Sequence, residues 1–82
     1  MKTLVYRIHL QPEPEGGYTV TVPTLPGCVT WGRDYDHAME MAKECIGGYL
    51  EALVKAGQPV PIESSLTEPI DAVIQVKTSV AA

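Results

Sequence analysis

The stretch GGYTVTVPTLPGC, Gly16 to Cys28, decides how this chain folds. Tyr18, Val20 and Val22 alternate with Thr19 and Thr21, so an extended segment here has one apolar side and one polar side, the pattern of a half-buried strand. Gly16 and Gly17 permit the positive φ of a hairpin loop just before it. Just after it, Pro26-Gly27 fits the central positions of a type II turn, because proline presets φ and glycine accepts a positive one. A hairpin, a strand and a sharp turn are therefore written into thirteen consecutive residues.

Upstream, Thr3 to Leu10 alternates with Leu4, Tyr6, Ile8 and Leu10 on one side, which predicts a first strand antiparallel to the one at Tyr18–Pro23. Downstream, Cys28 to Trp31 is a short β-prone run ended by Gly32. A helix follows from about Tyr35, with Asp34 as N-cap and Asp36 in the first turn. Its apolar stripe is Ala38, Met41, Ala42, Cys45, Tyr49, Leu50, Leu53 and Val54, and Gly57 is placed to end it. Gly47 and Gly48 each cost roughly 1 kcal/mol within a helix, which predicts a close backbone contact or a bend there. The connection QPVPIESSLTEP reads as an irregular crossing, and Ile70 to Val76 alternates as a fourth strand. The expected fold is α+β, β-β-β-α-β, in one domain over residues 1–82, with one helix on one face of the sheet and the other face open.

At 82 residues the chain supports one core, and so small a core leaves a homodimer or higher homo-oligomer as a natural source of further stability. Apolar residues at 45% and charged residues at 20% give the balance of a folded domain. A net charge of −4 argues against a dedicated nucleic-acid binder and suits a basic protein partner. No apolar run is long enough to span a bilayer, and Arg7 and His9 interrupt the start where a signal peptide would be apolar, so a cytoplasmic setting is expected. Cys28 and Cys45 are expected to be reduced, and without CxxC or HxxxH company no metal site and no cofactor are predicted.

Catalysis requires a nucleophile, a base and a charge stabiliser brought together, and little here converges. His9 and His37 read as surface histidines; Arg7, His9, Thr19 and Thr21 form the one polar group that would face the open side of the sheet. No general base can be assigned to Cys28. Glu13 and Glu15 read as a solvated acidic loop whose charges are available to a basic partner. Trp31 and Tyr35 sit at the strand-to-helix junction, where an aromatic is either a core plug or an interface anchor; for Trp31 the core role is favoured.

Taken jointly, PEPEGGYTVTVPTLPGCVTWG, the helix AMEMAKECIGGYLEAL and then GQPVP resemble the HicB antitoxin family over Tyr6 to about Pro61. The specific part is EGGY, VP and LPGC at close spacing ahead of the helix. The resemblance implies a partial RNase H-like β-β-β-α-β fold without catalytic activity. It also implies a partner: HicA, a small basic mRNA interferase with a double-stranded-RNA-binding-domain-like fold and a catalytic histidine, which such antitoxins bind and mask. Glu13, Glu15, Trp31 and Asp34 are the first candidates for that contact. Thr24 stands where the family commonly has an acid before LPG, and His37 where a glutamate is usual. Many members continue into a DNA-binding domain; none is expected here, and direct DNA binding is not predicted. The competing readings are an oligomeric adaptor without a toxin and a minor nuclease using His9 on the open face.

Overall fold

Among the described residues, three strands and one helix make up the fold. The structure, a computed structural model, describes residues 3–63, 69 and 71–80. Strands β1 (His9–Pro12), β2 (Tyr18–Thr21) and β3 (Val29–Gly32) form an antiparallel meander in the order β1-β2-β3, followed by helix α1 (Tyr35–Lys55). The α+β arrangement and the meander are as the alternation predicts.

The first hairpin closes through Gly16 N–H to Glu13 O and Glu13 N–H to Gly17 O, both at 3.0 Å, with Pro14 at the second turn position and Gly16 at φ 107°. The second turn is the Pro-Gly turn read from sequence: Cys28 N–H donates to Leu25 O at 3.0 Å and Gly27 has φ 84°. Register is set by Leu10 opposite Val20 and Val20 opposite Thr30. The first strand starts later than Thr3 and runs past Leu10 to Pro12. The cause lies in β2: Val22 N–H is taken by Cys28 O at 3.2 Å and Pro23 has no N–H, so the ladder ends at His9 opposite Thr21.

Asp34 caps α1 from extended backbone, its Oδ1 accepting His37 N–H at 2.8 Å. At the other end Gly57 N–H reaches Val54 O at 3.1 Å and Gln58 N–H reaches Leu53 O at 2.9 Å, with Gly57 at φ 70°, the paired bonds of a Schellman motif. The helix lies on β3 and β2 through its smallest residues. Ala38 and Ala42 are buried with Val20, and a Cβ on Gly32 would collide with the backbone of Ala38, so helix and strand touch almost backbone to backbone. Val22, Leu25 and Cys28 form a second cluster, covered by Ile46, Tyr49 and Leu50; Ile8 packs against both clusters. Tyr49 OH donates to Pro26 O at 2.7 Å and ties the Pro-Gly turn to the helix.

Three expectations need correction. Residues 71–76 form no strand and are exposed, so the fourth strand of the β-β-β-α-β order is not part of the sheet; Ile70 lies outside the described residues, as do residues 64–68 of the crossing before it. A strand needs a neighbour's backbone to pair with, and residues 71–76 do not pair with the edge of β1. Of the close contact or bend read at Gly47 and Gly48, the contact is absent, since a Cβ at either would meet nothing within 4 Å. Val54, placed on the apolar stripe, is 65% exposed because the sheet does not reach the last turn of α1.

Candidate functional site

The pleat and the register together decide which side chains face away from α1. Val20 and Leu10 turn toward the helix, so His9, Gln11, Thr19, Thr21, Val29 and Trp31 occupy the opposite face. No described element packs on that face. Val29 is 54% exposed and Trp31 48%, both on the edge strand β3.

Trp31 is therefore not the core plug favoured from sequence. Gly32, its neighbour, takes the inward position and is the residue that lets Ala38 approach, which sends the indole to the open side. The ring lies over Gly17, where any Cβ would overlap it, and Gly17 also has φ 79°. On its other flank the imidazole of His37 meets it edge-on, with centroids 6.4 Å apart and planes at 83°.

The four candidate contact residues fall unevenly around this ring. Glu13 is half-buried, its Oε1 accepting the Thr19 hydroxyl at 2.8 Å, and Thr19 is directly opposite Trp31 in the ladder. Asp34 is joined to Trp31 through His37, which it caps. Glu13, Thr19, Trp31, His37 and Asp34 thus form one connected strip. Glu15 is exposed on the hairpin loop, and no contact ties it to the strip. Arg33 Nε lies 3.8 Å from Asp34 Oδ2 with both side chains largely in solvent, an ion pair worth little.

His37 also explains itself structurally. Its Nδ1 accepts the N–H of Arg33, the residue before the cap, at 3.0 Å, while its own N–H goes to Asp34. It thus holds the backbone on both sides of the helix start, a variation on the capping box, where a glutamate at this position accepts from the cap residue itself. Thr24 is likewise accounted for: its hydroxyl donates to Glu63 Oε1 at 2.9 Å, and Arg7 N–H donates to the same oxygen at 2.9 Å. An acid at position 24 would set two carboxylates against each other. Neither Glu63 nor the Cys28–Cys45 contact was legible in the sequence, because both depend on segments 39 and 17 residues apart being brought together. Both thiols are free, and burial, followed by the hydrogen bond and charge of Cys45, pushes Cys28 up to about 11. Among the described residues no group of three or more His, Cys, Asp or Glu is arranged to hold a metal ion, and no helix is long and apolar enough to cross a membrane.

Residues 6–79 match the family described as HicB-like antitoxin of bacterial toxin-antitoxin systems. The chain belongs to this family. A UPF0150 protein of Synechocystis is 33% identical over 69 residues, 84% of this chain and 87% of that protein. A second UPF0150 protein, from Thermoplasma acidophilum, is 35% identical over 60 residues, 73% of this chain and 87% of its own length. Antitoxin HicB of Escherichia coli is 34% identical over 76 residues; the match takes in 93% of this chain but 54% of the antitoxin, so the chain spans about half of that relative.

Proposed function

We propose that this HicB-like chain is the antitoxin of a HicAB-type pair, binding a small basic HicA-like mRNA interferase and masking it. The observation that carries the reading is the open sheet face, where exposed Trp31 and Val29 are flanked by the carboxylates of Glu13 and Asp34. An apolar centre with an acidic margin suits a basic protein: the indole and Val29 supply area to bury, and the carboxylates steer and register the partner. The net charge of −4 acts in the same direction at long range. The role is binding and not catalysis, in a cytoplasmic setting, and inhibition follows from steric occlusion of the interferase.

Co-expression with a HicA-like mRNA interferase tests the reading. The two should co-purify, and the chain should restore growth that the partner alone arrests. Separate elution together with unrelieved growth arrest would reject it.

A further inference from the structure

The sequence between Asp71 and Lys77 is built as a strand, with Ala72, Ile74 and Val76 on one side, yet in the single chain it covers nothing. Val73, Ile74 and Val76 are 94%, 83% and 72% exposed. An apolar alternating run wholly in water is costly for a domain with so small a core. It is also an aggregation hazard unless something pairs with it.

The body of the protein has a complementary gap. Among the described residues, the order β1-β2-β3 leaves the outer edge of β1 without a neighbouring strand. Beside that edge an apolar groove of about 460 Å³ runs between the N-terminal segment and α1, lined by Leu4, Tyr6, Ile8, Met39, Ile46 and Leu50. Gly47 also borders it and has nothing within 4 Å of where its Cβ would be, so the helix side stays open. A strand added along β1 would drop alternate side chains into this groove.

We infer that the occupant is the 71–76 segment of a second copy of this chain, so that two chains exchange their last strands and each completes the other's sheet. The chain's shape favours exchange over folding back. Its radius of gyration is 15.3 Å and its long axis 55 Å, against about 12 Å for the radius of a compact chain of this length. Residues 71–80 are exposed throughout and so leave the groove of their own body vacant. The exchange is reciprocal, since each copy has one such segment and one such groove, which closes a two-fold pair and stops further addition. Lys43 on the groove and Asp71 at the head of the segment carry opposite charges. The surface is distinct from the open face that carries Trp31, so the inference stands or falls apart from the toxin-masking reading.

The test joins mass with chain assignment. Light scattering on the full chain should give twice 8.9 kDa. In an equimolar mixture of isotope-labelled and unlabelled chains, refolded together, filtered NOESY should show the methyls of Ile74 and Val76 against Ile8, Ile46 and Leu50 between chains. The double substitution Ile74→Asp, Val76→Asp should raise the dimer dissociation constant at least tenfold while the helical circular dichroism of α1 persists. A monomeric mass, a dimer in which those contacts lie within one chain, or a dimer indifferent to the two aspartates would overturn the inference.

Discussion

The Sγ atoms of Cys28 and Cys45 lie 3.2 Å apart, joining the start of the third strand to the middle of the helix, and Cys45 Sγ sits 3.7 Å from Val29 O. Cys28 is buried, and its thiol is pushed up to about 11 from the ordinary 9.0, mainly by loss of water. The folded state therefore keeps a proton that the unfolded chain releases. This contribution is fully present below about pH 9 and is lost as pH rises toward about 11, at most about 1.4 kcal/mol per pH unit. Thermal melts between pH 8 and 11 should show a steeper decline for the native chain than for Cys28→Ala, and parallel declines would contradict the burial of this thiol.

Gly32 and Gly48 should respond oppositely to alanine. At Gly32 a Cβ would meet the backbone of Ala38, so Gly32→Ala should destabilise by at least about 2 kcal/mol or prevent folding. Gly48 is exposed within α1 with open space around it, so Gly48→Ala should stabilise by about 0.5–1 kcal/mol. Urea denaturation of both variants checks the pair; a stabilised Gly32→Ala would mean that β3 and α1 are further apart than described.

The fold was legible wherever local chemistry decides it. Gly16, Pro26-Gly27, Asp34 and Gly57 each act within a few residues of themselves, and each does what its type predicts. What was not legible depends on pieces distant in sequence. Trp31 reads as an inward aromatic until Gly32 is seen to be the residue that admits Ala38. The 70–76 alternation identifies strand chemistry but cannot say which edge, or whose, it pairs with. Of the candidate contact residues, Glu13, Trp31 and Asp34 come together through Thr19 and His37, neither of which was itself among those candidates.

The start of α1 rests on two bonds through His37, Asp34 accepting its N–H and its ring accepting Arg33 N–H. Asp34→Ala should cost about 1 kcal/mol by losing the cap. His37→Glu should retain most of the stability, because a carboxylate at the same helical position can also accept from the preceding backbone. Chemical denaturation of the two variants distinguishes them, and an equal loss in both would show that His37 acts through its ring against Trp31 instead.

Tyr49→Phe should cost about 1 kcal/mol, since it removes only the hydroxyl that holds Pro26 O at 2.7 Å. The Pro-Gly turn should then exchange its amide hydrogens faster while the β1–β2 hairpin is unaffected, as hydrogen exchange followed by NMR would report. Uniform loss of protection across the sheet would place that bond in the global fold instead of the local turn.

Partner masking by the open face is tested most directly by titrating a HicA-like mRNA interferase into the native chain and into Trp31→Ala by calorimetry. Trp31 is half in solvent, so the variant should keep its fold by circular dichroism. The account predicts a tight complex with the native chain and at least tenfold weaker binding by the variant. No binding by the native chain would contradict the antitoxin role, and equal binding by a folded Trp31→Ala would show that the toxin is held somewhere other than this face.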